Sequence, residues 1–295
     1  MYIKSPLNYT GGKYSLLNDI LPCFPDNLNN FVDLFTGGLN VGINVTANTI
    51  YANDQIDYLI EMYEYFQNTD IDEIIQTIYG VIQKYGLSQT NADAYNQLRR
   101  DYNNNKSPLM LFVLTCYSFN NHIRFNNSHQ FNMPFGADRS SFNPSIEKNL
   151  IQFISAIKHK NFIFSTGDFR NFDFSPLVPG DLVYCDPPYL ISVGPYNDGK
   201  RGFGDWHEQE EIDLLNLLDD LNSKGINFAL SNVLYHKGDA NNTLIEWSKK
   251  YNITYLDKEY SNCNYHIKNK DGVTVEVLVT NYAVPNKPLK QFSLF

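Results

Sequence analysis

Basic residues are the scarce class in this chain. Its 295 residues carry 23 Lys and Arg against 32 Asp and Glu, for a formal net charge of −9 and a pI near 5.1. Taken whole, that deficit argues against a polyanionic partner, because phosphate contacts are made by Lys and Arg. Cysteine is also scarce. Cys23, Cys116, Cys185 and Cys263 lie far apart and form no CxxC pair, which excludes a disulfide framework or a zinc ribbon. His122, His129, His207, His236 and His266 show no metal-ligand spacing, so no metal is expected. The longest apolar run, 109–117, falls far short of a bilayer span. No signal-peptide h-region opens the chain, so a cytoplasmic protein with no membrane partner is expected. A P-loop is absent too. Gly12-Lys13 would need Gly where Leu7 stands and Ser or Thr where Tyr14 stands.

What is present is a globular composition, 43% hydrophobic and 19% charged. The length suits one large domain, or a core carrying a smaller insert. The acid is concentrated in two segments. Residues 54–85 hold seven acids against Lys84, and 205–220 hold seven with no base. The remainder is slightly basic. Residues 99–140 place Arg99, Arg100, Lys106, Arg124 and Arg139 against Asp101 and Asp138. The net charge is therefore an average over a polarised chain, and both acidic segments are expected to face solvent.

The pattern of apolar residues predicts an α/β protein with a mostly parallel sheet. A loop over 5–13 leads to a helix over 14–21, stopped by Pro22 and Pro25. A strand over 31–35 runs into Thr36-Gly37-Gly38, a helical stretch over 39–48, and a second strand over 50–52 ending at Asn53-Asp54. Strand, glycine turn, helix, strand and acid outline a nucleotide-binding βαβ unit. Residues 55–85 and 92–120 read as helical. Residues 120–145 are polar, aromatic and turn-rich, as in a small hairpin. A helix over 145–158, strands over 162–164 and 182–185, a helix over 207–223, a strand over 226–230, a helix over 240–251 and a strand over 273–282 complete the pattern. We expect a core of 1–55 and 151–295 interrupted by an α-rich insert, 56–150.

Three motifs carry chemistry. Asp186-Pro187-Pro188-Tyr189 follows the strand over 182–185. It reads equally as a strand-ending turn or as a site for a planar amine. In the second reading the prolines fix the backbone, the Asp186 carboxylate and the Pro187 carbonyl present two acceptors, and Tyr189 offers a stacking face. Asp33-Leu34-Phe35-Thr36-Gly37-Gly38 places a glycine turn at a strand end, where a ligand can approach backbone. Asp54 ends the next strand, either as a helix cap or as an acceptor for ribose hydroxyls. In Tyr9-Thr10-Gly11-Gly12-Lys13, Tyr9 and Lys13 sit on a glycine loop suited to a carboxylate and an aromatic ring of a ligand.

Together these motifs resemble the Dam-type (D12 class, alpha group) DNA adenine-N6 methyltransferases over nearly the whole chain. Tyr9 stands where that family usually has Trp, and Asp33-Leu34-Phe35 where it more often has Glu-Pro-Phe. The resemblance assigns Asn53-Asp54 to the ribose of S-adenosylmethionine and Gly167-Asp168-Phe169 to its adenine. Arg124-Phe125-Asn126 and Phe131-Asn132-Met133-Pro134-Phe135-Gly136 match a recognition hairpin. Glu276-Val277-Leu278-Val279-Thr280-Asn281-Tyr282 matches the last core strand. It implies a Rossmann-like S-adenosylmethionine-dependent methyltransferase sheet with an inserted α-rich DNA-recognition domain bearing a β-hairpin.

The implied activity is sequence-specific methylation of adenine N6 in double-stranded DNA, in a restriction-modification or Dam-like role, with base flipping. Asp186, Pro187, Pro188 and Tyr189 would be catalytic. Tyr9, Gly12, Lys13, Asp33, Phe35, Gly37, Asp54, Asp168, Phe169 and Asp186 would hold the cofactor. In the insert, Arg99, Arg100, Phe119, Asn120, Asn121, Arg124, Asn126 and Asn132 are candidate DNA contacts. Arg and Asn read base edges, and Phe119 or Phe125 would wedge into the stack. Asn262-Cys263-Asn264-Tyr265-His266 is a second candidate DNA-facing loop. A cognate restriction endonuclease would share the system without forming a stable complex. Two other readings stand beside this one: N-methylation of RNA adenine or protein glutamine, and a DNA-binding relative without catalysis. Enzymes on those amines more often carry Asn in place of Asp186.

Overall fold

The computed structural model describes residues 2–126, 128–191, 206–256 and 274–284. The loop proposed over 262–266 lies outside them. In chain order the strands are β1 (Leu28–Asp33), β2 (Ala47–Asp54), β3 (Phe162–Thr166), β4 (Leu182–Cys185), β5 (Asn227–His236), β6 (Asp239–Ala240), β7 (Asn252–Tyr255) and β8 (Thr274–Thr280). The helices are α1 (Leu17–Ile20), α2 (Asp57–Asn68), α3 (Ile71–Tyr85), α4 (Ala92–Asn104), α5 (Pro108–Tyr117), α6 (Pro144–His159), α7 (Glu208–Ser223) and α8 (Asn242–Ser248). Among the described residues, no helix is long and apolar enough to cross a membrane.

The sheet runs β3-β2-β1-β4-β5-β8-β7, with β6 paired to β5. From β3 to β5 every pairing is parallel, whereas β8 runs antiparallel to both β5 and β7. The central strands β1, β4 and β5 are buried on both faces, hence their near-continuous apolar runs, whereas β3 at the edge exposes Ile163. Side chains alternate between faces with period two. Phe31, Leu182 and Tyr184 join one core, and Val32, Val183 and Cys185 join the other. The first core also contains Leu59, Tyr63 and Phe66 of α2, Phe112 of α5 and Phe153 of α6. Helices of 56–150 thus pack directly on one sheet face. α7 and α8 cover the other, through Leu214, Leu218 and Leu244.

Local rules explain most helix boundaries. Asp70 accepts from the Asp72 N–H to cap α3, and Gly86 ends it in the left-handed region at φ 67°. Asn143 caps α6 ahead of Pro144. α5 contains the longest apolar run of the chain. It is buried almost all round, which makes it an interior helix.

Three expectations are corrected. The helical stretch over 39–48 is irregular, with a single tight turn at Gly42–Asn44, and β2 begins at Ala47. Leu39 sits at φ 56° and the Asp33 carboxylate takes the Gly42 N–H, so the helix cannot propagate. The expected hairpin has no regular strands. It is held by the isolated bridges Ser118↔Phe135 and Phe125↔Phe131. Finally, β5 does not stop at 230 but continues through buried Ser231 and Asn232 to His236, because both polar residues find partners. The Tyr184 and Ser231 hydroxyls bond at 2.9 Å, and Asn232 donates to Glu211 at 3.1 Å.

Candidate active site

β1, β2, β3 and β4 are parallel, so their carboxyl ends share one edge of the sheet. The strand order reverses between β1 and β4, which opens a crevice there. Asp33 lies in register with Ala52 and Tyr184, and Asp54 with Thr166. The topology therefore brings Asp33, Asp54, Asp168 and Asp186 to one edge, although 153 residues separate the first from the last.

The glycine loop is tied to its neighbours by backbone. Leu34 N–H donates to the Tyr184 carbonyl and Thr36 N–H to the Asn53 carbonyl. Gly37 N–H donates to Asp54 Oδ2 at 2.7 Å, while the buried Tyr63 hydroxyl donates to the Gly37 carbonyl at 2.6 Å. Gly37 has φ +46°, and a Cβ there would sit 2.8 Å from the Tyr9 ring. Only glycine fits, and Tyr9 thereby docks the N-terminal loop onto the glycine loop. Asp54 Oδ1 also accepts from Ile56 N–H at 3.0 Å, at the approach to α2. It ties the helix start while keeping lone pairs for a ligand. Burial drives the Asp33 carboxyl well above the usual carboxylate range and the Asp54 carboxyl up to about 6, although N–H donors oppose both shifts.

Asp186 begins the turn after β4. Its Oδ1 lies 2.8 Å from the buried ammonium of Lys13, which also donates to the Gly11 carbonyl at 2.9 Å. Glu276 of β8 is the second acid on that ammonium, at 3.6 Å. The Tyr189 hydroxyl lies 3.0 Å from Asp186 Oδ1 and 2.8 Å from Glu276 Oε1. Its single proton serves one acceptor at a time. Lys13 Nζ also lies 4.9 Å from the centre of the Tyr189 ring. Burial raises the Asp186 carboxyl, and Lys13 is the main opposing influence.

Beyond β3, Asp168 accepts from the Arg170 N–H and grips the Arg170 guanidinium at 2.9 and 2.7 Å. That holds its carboxyl below the usual range. Phe169 packs against Phe35 at 5.4 Å between ring centres, and Trp206 closes the group at 5.6 and 5.7 Å. The acid of α7 is not all solvated as expected. Glu211 is fully buried and accepts from Trp206, Asn232 and Asn241. Sequence reasoning did not select Glu276, Trp206, Glu211 or Tyr63 as site residues. Glu276 had a signal, as an acid inside a β-branched strand. The other three had none, because only packing sets their partners.

The candidate DNA residues gather on 118–136 and α4. Phe119 is 40% exposed, with the Arg139 guanidinium 4.2 Å from its ring centre. Phe125 is buried and stacked on Tyr58, so of the two wedge candidates it is unavailable. Asn120 and Asn121 both have φ 56°. The Asn120 carbonyl accepts from Asn8, and the Asn121 amide donates to the Cys116 carbonyl at 2.7 Å, closing the end of α5. Arg124 Nε donates to Asn132 Oδ1 at 2.9 Å, and Asn126 Oδ1 accepts from Ser128 and Gln130 N–H. Half-buried Arg99 donates to the Met133 carbonyl at 3.0 Å, whereas Arg100 is exposed and bonds Gln97.

A glycine loop and four carboxylates along the carboxyl edge of a mostly parallel sheet, with Asp33 and Asp186 beside the point where its order reverses, define an α/β protein whose topology opens a crevice at that edge. The chain belongs to the family described as D12 class N6 adenine-specific DNA methyltransferase, whose model matches residues 9–262. It is 53% identical over 281 residues to Type II methyltransferase M.FokI of Planomicrobium okeanokoites. It is 50% identical over 283 residues to Modification methylase StsI of Streptococcus sanguinis. Each match covers 95% of this chain and 43% of the relative, so the chain spans well under half the length of those proteins. Type II methyltransferase M1.LlaDCHI of Lactococcus lactis subsp. cremoris is 27% identical, with 93% of this chain and 94% of the relative covered.

Proposed function

We propose that this chain is a sequence-specific DNA adenine-N6 methyltransferase that takes its methyl group from S-adenosylmethionine and acts on an adenine rotated out of the duplex. The modification-methylase names of its relatives favour a role beside a restriction endonuclease, and we place the protein in the cytoplasm. The observation that carries the reading is the placement of Asp186-Pro187-Pro188-Tyr189 at the crevice, with Asp186 held by buried Lys13. The crevice suits the cofactor. Its cluster of buried carboxylates favours a ligand carrying a sulfonium, an ammonium and ribose hydroxyls. Tyr9, Gly12, Lys13, Asp33, Phe35, Gly37, Asp54, Asp168, Phe169 and Asp186 are the proposed cofactor contacts.

When bound, S-adenosylmethionine supplies an electrophilic methyl group. The chain's residues prepare the amine. The Asp186 carboxylate and the Pro187 carbonyl accept its two N–H bonds, which localises the nitrogen lone pair toward the methyl position. Asp186 Oδ1 is also placed to take the proton released. For this, Lys13 and the Tyr189 hydroxyl must yield that oxygen, and Glu276 is the alternative acceptor within reach of both. The Tyr189 ring supports the extruded base. Within 56–150, we assign DNA recognition to α4 and the 118–136 segment, with Arg99, Arg100, Phe119, Asn120, Asn121, Arg124, Asn126 and Asn132 as candidate contacts. The test is transfer of labelled methyl to unmethylated mixed-sequence duplex DNA. N6-methyladenine in the hydrolysate is expected, and its absence would refute the activity.

A further inference from the structure

We propose that Trp206, tethered by the buried carboxylate of Glu211, forms the third aromatic wall of the site for the cofactor's adenine ring; this rests on the cofactor reading above. The three rings come from three parts of the chain. Phe35 leaves β1, Phe169 follows β3, and Trp206 precedes α7. Their centres lie 5.4, 5.6 and 5.7 Å apart, and Trp206 meets Phe35 edge-on at 79°. Phe35 and Trp206 are both half-buried, as expected for walls of a crevice rather than interior packing. Indole offers the largest π face among side chains for a planar base.

The tether explains an otherwise costly feature. Glu211 is 0% exposed, and among the described residues its partners are three neutral donors and no cation. Burial raises its carboxyl and the three donors oppose that shift, so each bond offsets part of the cost of burying it. One oxygen accepts from Asn232 of β5 at 3.1 Å and from Asn241, which caps α8, at 2.8 Å. Both are already set by rigid elements. The other oxygen accepts from Trp206 Nε1, at 2.8 Å, and from no other described residue. The same turn of α7 reaches the second wall from outside. Asp213 and Glu210 hold Arg170 at 3.0 and 3.7 Å, and Arg170 lies 5.4 Å from the Phe169 ring. One helix start thus positions two of the three walls.

The chain has only two tryptophans, which makes the test direct. Trp247 packs against Phe228 and Tyr251 in the same core and donates to Asp219, with a separate set of partners from Trp206. The full chain is titrated with S-adenosylhomocysteine while emission and calorimetric heat are followed together. We expect an emission change that saturates with the heat, persists in Trp247→Phe and disappears in Trp206→Phe. Adenosine should reproduce it and methionine should not. Glu211→Gln should raise the KM for S-adenosylmethionine about tenfold, the effect of weakening one hydrogen bond to a charged group, with kcat nearly unchanged. Calorimetric binding with unchanged Trp206 emission would overturn the proposal. Absence of calorimetric binding would overturn the cofactor reading itself, and this inference with it.

Discussion

The sheet edge and the 118–136 segment are both rich in polar side chains, yet they are built in opposite ways. At the edge the bonds are long-range and buried. Asp54 holds Gly37, Lys13 holds Asp186, and Tyr189 reaches Glu276 across 87 residues. In the 118–136 segment the side chains of Asn121, Arg124 and Asn126 bond locally. Arg124 bonds Asn132, Asn126 bonds its own turn, and Asn121 closes the helix before it. The difference fits two tasks. Transfer chemistry needs acceptors fixed before the substrate arrives. Base reading needs side chains that exchange self-contacts for contacts with a duplex, and such rearrangement is common in regulatory and recognition surfaces.

The comparison breaks most sharply at Asp186. Asp186→Ala should lower the transfer rate by roughly 10²- to 10⁴-fold while S-adenosylhomocysteine still binds in calorimetry. A rate close to wild type would remove Asp186 from the chemistry. Lys13→Met comes next. Burial raises the Asp186 carboxyl and Lys13 opposes it. Without the ammonium the carboxylate protonates more readily, so the acid limb of the single-turnover pH profile should move to higher pH. An unmoved limb would assign it to another group.

Asp54 tests the cofactor half of the edge. Its carboxyl is pushed up to about 6, and the ionised form is the better acceptor for ribose hydroxyls. The Kd for S-adenosylhomocysteine should therefore fall as pH rises from 5 to 7 and level off above. Asp54→Asn should flatten that dependence. The smallest effects belong to the segment proposed for recognition and its helix. Arg100→Ala should reduce the salt slope of duplex binding by about 1, read by anisotropy of a labelled duplex. Arg99→Ala should reduce the slope less and also cost about 1 kcal/mol of stability in urea unfolding, because its donor is bonded to the Met133 carbonyl. Equal salt effects from the two would erase the distinction between an exposed and an internally bonded arginine.

Much of this was legible beforehand because it is local or periodic. β4 occupies 182–185 as its apolar run predicts, and α6 and α7 fall within a residue of expectation. Capping residues and turn glycines announce such boundaries in the sequence itself. The stretch over 39–48 was misread because its helical pattern is overridden by Leu39 at φ 56° and by the Asp33 carboxylate nine residues earlier. The net charge of −9 misled in a related way. Some of that acid is solvated, but Asp33, Asp54 and Glu211 are buried, two of them in the crevice and the third anchoring Trp206.

The order of the motifs along the chain, the parallel-strand pattern and the acids at strand ends were determined by the sequence alone, since each depends on neighbours within a few residues. Which acid meets which cation was decided only in the tertiary structure. Lys13, Asp186 and Glu276 come from the end of the first loop, the turn after the fourth strand and the last described strand. Trp206, Phe35 and Phe169 likewise meet only once α7 is docked. Such contacts depend on sheet order and helix packing, which no local pattern of residues encodes.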